Sequence, residues 1–483
     1  MAIQSTGVGS GLDVNSIITQ LMAIESRPLT RLQTVASTTQ TQLSSYGALK
    51  SRITALGDAA AKLASAATWN KTKATSSDAD VLSVSSSDTA APVNLQIEVS
   101  QLARAQSVSS SRLATPADVV GTGTLTIEFG SWSDTFAAFT PKVPASSATI
   151  TIGTGEDTLA GVRDKINAAN AGVSATILND SSGSRLVLRS TVTGAESGFR
   201  LSVSDADTNN LDDSGLSRLA FDPPAGAPAA GNQRGVDLVA TVNGAAIVSA
   251  SNKLDNLVDG VSVQVHRATT DPVEATVALD TDAMKVLIEG FVKAYNDANQ
   301  YLADQTRYNA EAKTAATLQG DRTAVGLQGQ LRSLVATQSN ASAVFGTLSS
   351  IGITLERDGS LKVNEDKLGR SLSNLPELAR LFGGDSATDP TSVGIARRFD
   401  VLADANTNTG GALDSREEGL RQRLERNKDE QERFNDRLAR TEARLRAQYT
   451  ALDNKMSQLN GLSAYVTQQM EMLNASTISI NKD

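Results

Sequence analysis

The stretch FNDRLARTEARLRAQYTALDNKMSQLNGLSAYVTQQMEML, residues 434–473, decides how this chain is built. Its apolar positions Phe434, Leu438, Leu445, Leu452, Met456, Leu459, Val466, Met470 and Leu473 fall mostly on a repeat of three and four, and Leu420 and Leu424 extend it upstream. Apolar residues recurring about every 3.5 positions form the seam of a coiled coil. Near the other terminus, Leu32, Tyr46, Leu49, Ile53, Leu56 and Leu63 repeat the pattern. A seam needs a partner. The simplest partner for each end is the other end, together with copies in neighbouring subunits; the alternative is a long intramolecular hairpin of helices. Asn427, Gln431 and Thr441 occupy seam positions, where polar residues cost stability and favour a defined register.

Between the ends the period changes to two. Val93, Leu95, Ile97 and Val99 alternate, as do Leu125, Ile127 and Phe129, and Val261, Val263 and Val265. Thr158–Ala169 reads as a helix with Leu159, Val162 and Ile166 on one face. Val173–Ile177 and Leu186–Arg189 read as a hairpin, and Asn243-Gly244 is a strong two-residue turn signal. Pro223-Pro224-Ala225-Gly226-Ala227-Pro228 reads as a loop. Helix returns near Thr281, and the last helix is expected to run about 60 residues, or about 90 Å. Asp13 is placed to cap the first short helix, Pro28 to end or bend it, and Gly47 and Gly57 to weaken the next by roughly 1 kcal/mol each.

The expected class is therefore multidomain α+β: a discontinuous helical coiled-coil stem formed by both termini, with inserted β-rich head domains. The expected parts are terminal legs at 1–45 and 446–483, a helical stem at 46–75 and 281–445, and head domains at 76–280, the outer one at about 110–234.

Composition argues against most chemistry. The chain of 483 residues has no cysteine, so disulfides, thiolate metal sites and cysteine nucleophiles are absent. Its net charge is -9, which disfavours nucleic acid. The dense charges from Asp414 to Lys455 are nearly balanced and read as a solvated, ion-paired helix face. No apolar run is long enough to insert in a bilayer, and the first residues lack the pattern of a cleaved signal peptide. His266 is the single histidine and lies on the polar phase of its strand, leaving a catalytic triad or histidine metal site without support. Asp205, Asp207 and Asn209 begin like a calcium loop, but Asn210 and Leu216 replace the glycine and glutamate that it requires. Gly7, Gly9 and Gly11 lack the preceding strand and following lysine of a phosphate loop. No cofactor and no enzymatic activity are expected.

The run Gly9-Ser10-Gly11-Leu12-Asp13, with Leu21-Met22-Ala23-Ile24-Glu25 and Pro28-Leu29, resembles the opening of the bacterial flagellar filament cap family, hook-associated protein 2 or FliD. Val99-Ser100-Gln101-Leu102-Ala103 resembles the close of its N-terminal region. Thr158-Leu159-Ala160, Ile166-Asn167-Ala168-Ala169 and Arg185-Leu186-Val187-Leu188 are similar to the insertion motif shared by flagellins and hook-associated proteins. Asn243-Gly244, Phe291-Val292, Tyr295-Asn296, Ile351-Gly352-Ile353 and Tyr465 follow the family's C-terminal order.

The resemblance implies a ring-like homo-oligomer at the distal tip of the flagellum. It would promote flagellin insertion and folding, prevent flagellin loss, and in some members serve adhesion. It implies contact with flagellin and other axial proteins, and an export chaperone at the C-terminal helix. It also implies extracellular placement, by export through the flagellar type III apparatus. A filament or hook-junction subunit is the alternative. The residues expected at subunit or filament contacts are Leu12, Ile17, Leu21, Leu49, Ile53, Leu56, Leu438, Leu445, Leu452, Met456, Leu459, Val466 and Met470.

Overall fold

Asp13 starts the first helix by accepting a hydrogen bond from the Ser16 amide at 3.0 Å, which satisfies one of the donors a helix start leaves open. The computed structural model describes residues 13–210, 212–222, 231–386 and 388–480, with side chains as far as Met472. Leu12, the Gly7–Gly11 run and the Pro223–Pro228 loop lie outside the described residues. The helices are α1 (Val14–Glu25), α2 (Arg27–Ala64), α3 (Ala66–Trp69), α4 (Leu159–Ala168), α5 (Thr281–Thr306), α6 (Arg322–Ala336), α7 (Glu365–Ser371), α8 (Leu375–Gly383), α9 (Ile395–Thr407) and α10 (Ala412–Ile480).

Two compact units result, a helical one from residues 1–69 and 281–483 and a β-rich one from residues 70–280. The class is mixed α+β, with the strands inserted between helical segments far apart in sequence. The first strand is Thr72–Ser76, so residues 72–75 belong to a sheet rather than to the stem. Neither expected leg junction is a break: α2 runs through residue 45 and α10 through residue 446. With 69 residues, α10 is about 100 Å long.

The helical unit forms around α2. Tyr46, Leu49, Ile53, Leu56, Ala60 and Leu63 lie on one stripe of it, and all are buried. Met284, Ile288, Phe291, Tyr295, Ala298 and Leu302 do the same on α5. The rings of Phe291 and Phe399 meet edge-on at 5.2 Å, Tyr295 stands at 6.0 Å from Phe399, and Trp69 stacks on Phe382 at 5.7 Å. The Trp69 indole N–H donates to the Leu63 carbonyl at 2.8 Å. Each of these large side chains contributes about 1.5–3 kcal/mol by leaving water.

The two glycines of α2 differ in role. A Cβ at Gly57 would stand 2.6 Å from the Ala403 Cβ, so α2 and α9 approach closely because Gly57 has no side chain. A Cβ at Gly47 would meet Glu417 Oε1 at 3.6 Å, ordinary contact. Opposite outcomes are therefore expected in thermal melts. Gly57→Val should lower stability by about 1–3 kcal/mol through overpacking, whereas Gly47→Ala should raise it by up to about 1 kcal/mol through helix propensity.

The β-rich unit has two cores. In the inner one, an antiparallel sheet has the order Thr72–Ser76, Val273–Leu279, Val93–Gln101, Leu238–Val242, Ala245–Ser249. It packs with a three-stranded sheet of Lys253–Val258, Val261–Val265 and Leu82–Ser86. Val242 pairs with Ala245 across Asn243 (φ 49°) and Gly244 (φ 82°), the two positive φ values that such a tight turn needs. In the outer core, α4 covers the hairpin of Val173–Asp180 and Gly183–Ser190, with Thr158 capping α4 through the Gly161 amide at 3.1 Å. The chain enters and leaves this outer body on paired backbone: Arg104 bonds Val236, and Ser107 bonds Gln233, at 2.8–3.1 Å.

Candidate assembly surface

The enzyme-like fragments of the sequence do not converge in the β-rich unit. His266 is exposed, its Nε2 3.2 Å from Ser83 Oγ. Asp205 accepts from the Ser217 amide at 2.9 Å, and Asp207 from the Asn209 amide at 2.9 Å, so these carboxylates close their own loop. Among the described residues no group of histidine, aspartate and glutamate could hold a metal ion.

The seams of the helical unit have two fates. Leu49, Ile53 and Leu56 are fully buried by the chain's own helices. Their expected role at a subunit contact is corrected: they are core residues, because α5, α9 and α10 pack against α2. Tyr46, on the same stripe, carries a polar node that sequence did not reveal. Its hydroxyl donates to Asp321 Oδ1 at 2.5 Å, Arg416 donates to Asp321 Oδ2 at 2.9 Å, and Asp321 also caps α6 through the Thr323 and Ala324 amides. One carboxylate thus joins α2, α6 and α10. Burial pushes the Asp321 carboxyl up, but the hydrogen bonds from Tyr46 and Arg416 outweigh it and hold it below the usual carboxylate range. Burial, then the bond to Asp321, raises the Tyr46 hydroxyl well above its ordinary value.

Further along, α1 docks on α10. Arg446 donates to Asn15 Oδ1 at 3.4 Å, and at the other end of α1 Glu25 lines a groove with Arg437 and Arg440, so the two helices run antiparallel. Val14 and Ile18 face inward and are buried. Of the residues expected at subunit or filament contacts, Ile17 is half-buried and Leu21 exposed. Leu438, Leu445 and Met456 are half-buried. Leu452, Leu459, Val466 and Met470 are 44–58% exposed, and every described side chain from Ser457 to Met472 is exposed. Among the described residues no helix is long and apolar enough to cross a membrane.

The N-terminal profile of flagellar hook-associated protein 2 matches residues 10–106, its C-terminal profile residues 236–461, and the flagellin hook IN motif residues 141–192. The B-type flagellar hook-associated protein 2 of Pseudomonas aeruginosa PAO1 is 33% identical over 489 residues, spanning 98% of each chain. The chain belongs to the flagellar hook-associated protein 2 family. Another member, from Escherichia coli K12, is 30% identical and covers 97% of this chain and 98% of its own. The crystal structure of the D1-D2-D3 domains of the flagellar cap protein FliD from Escherichia coli shares the fold, with a TM-score of 0.55 and 28% identity over 78% of this chain and 99% of that one. The family matches cover residues 10–69 and 281–461 of the helical unit, and the flagellin motif spans α4 and the hairpin it covers.

Proposed function

We propose that the protein caps the growing flagellar filament as a ring of identical copies at its distal tip. The observation that carries the reading is the open apolar stripe Leu452, Leu459, Val466 and Met470 on a helix that continues past the folded body of the helical unit. In this reading the terminal segments are legs that engage the filament end, and the β-rich unit forms the plate. The plate confines exported flagellin beside vacant positions, so insertion is favoured by high local concentration rather than by a covalent step. The chain itself travels through the flagellar type III apparatus, and an export chaperone holds the exposed end of α10 beforehand.

A filament or hook-junction subunit would also carry helical termini. The cap is favoured because the profiles matching both terminal regions are those of hook-associated protein 2, whereas the flagellin motif matches only residues 141–192. The test is deletion of the gene: the cells should carry hooks without filaments and release flagellin into the medium. Filaments of normal length would contradict the reading.

A further inference from the structure

Two rows of like charge run side by side along α10. Glu425, Asp429, Glu432 and Asp436 follow one another at steps of four, three and four residues, and so do Arg433, Arg437, Arg440 and Arg444. All are exposed on α10, away from the buried Leu413, Leu420 and Asn427. At about 3.6 residues per turn the two rows lie roughly 80° apart around the helix, and their centres are offset by about 12 Å along it. Lys428 and Glu430 are the exceptions, each beside the margin of the opposite row.

None of the side chains in the two rows forms an ion pair among the described residues, in contrast to the Arg446–Glu442 pair on the same helix at 2.8 Å. Each row sets like charges three and four residues apart, and the opposite charges at pairing spacing across the rows, Asp429 with Arg433 and Asp436 with Arg440, are left unpaired. The arginines line an open groove beside α1 together with Glu25 and Asp436, and neither carboxylate pairs with them.

We propose that the two rows are the two halves of one contact between copies of this chain: the arginine row of one copy faces the carboxylate row of the next. The inference rests on the ring reading above and adds to it the surface that closes the ring. A contact that joins different patches of identical subunits is heterologous, and it closes into a ring when the rotation between copies permits. Each copy then offers a basic flank on one side and an acidic flank on the other. The axial offset of the rows means that neighbouring α10 helices cross at an angle rather than lie parallel. Opposed charges also specify the neighbour, since a reversed or shifted copy brings like charges together.

The experiment uses the purified full-length chain and measures the fraction assembled by light scattering and electron microscopy. It is run at about 0.1 M and about 1 M salt, where the screening length falls from about 10 Å to about 3 Å. The first variant carries Arg433→Glu, Arg437→Glu, Arg440→Glu and Arg444→Glu. The second carries Glu425→Lys, Asp429→Lys, Glu432→Lys and Asp436→Lys, and the third carries both sets. Circular dichroism confirms that α10 persists in each. Each single-row variant should need at least about tenfold more protein to assemble. The third variant, whose rows are exchanged, should assemble like the parent, and an equal mixture of the first two should co-assemble. High salt should weaken the parent. Single-row variants that assemble like the parent, or a row-exchanged variant as weak as they are, would overturn the inference while leaving the ring intact. A parent chain that stays monomeric under all conditions would overturn the ring reading itself.

Discussion

A chain ending at Thr450 is expected to melt within a few degrees of the full protein and yet to leave its filaments uncapped. The structural half of this expectation follows from burial. From Ser457 to Met472 every described side chain is exposed, and before them only Asp453 and Met456 are half-buried, so among the described residues truncation removes almost no packing. Changes confined to exposed positions stay within about 0.5 kcal/mol. The contact of α1 with α10 survives, because Asn15 meets Arg446 upstream of the cut. The functional half follows from the open stripe, since Leu459, Val466 and Met470 are the apolar surface that the folded body does not use. Replacing these three by asparagine in the full-length chain should reproduce the defect with α10 still present. Melting curves and filament lengths in complemented cells check both halves. A truncated chain that still supports full filaments would remove the leg from the account.

The second large effect is expected at Asp321. Replacing it with alanine leaves the Tyr46 hydroxyl and the Arg416 guanidinium without their shared acceptor and strips the cap from α6. A buried donor left unpaired and a lost cap together cost about 2–4 kcal/mol. For a unit of this size that corresponds to a fall in Tm of roughly 4–7 °C.

The pH dependence has a defined sign. The Asp321 carboxyl is held below its ordinary value in the folded state, so its contribution is present above the unfolded carboxylate value of about 3.9 and disappears as pH falls through the lower folded value. The Tyr46 hydroxyl is raised in the folded state, so its contribution is present below about pH 10 and disappears as pH rises beyond it. Asp321→Ala should therefore flatten both the acid and the alkaline limb of the stability profile, measured by denaturant melts between pH 3 and 11, roughly the range these two groups span. A variant with the parent's profile would show that the node does not link the three helices.

Local rules carried much of the fold. Asp13 caps α1, Thr158 caps α4, and Asn243-Gly244 turns its hairpin, because each depends on groups within a few residues. What local pattern could not separate is which seam is covered. Leu49 and Leu459 obey the same repeat, but α5 and α10 pack against α2 around Leu49 from more than two hundred residues away, and no described element arrives over Leu459. Gly57 looked like a defect in α2, and its reason is Ala403 on a distant helix. The Tyr46–Asp321–Arg416 node was invisible for the same cause, since nothing near Tyr46 in sequence signals a carboxylate 275 residues on.

The account's central claim is that this chain retains flagellin at the filament tip. The direct measurement is the partition of flagellin between cells and medium in a strain lacking the gene, with the full-length chain restored in parallel. The account predicts flagellin shed as monomer beside bare hooks in the deletion strain, and its return to filaments when the chain is supplied. Normal filaments in the deletion strain, or cells that export no flagellin at all, would contradict it.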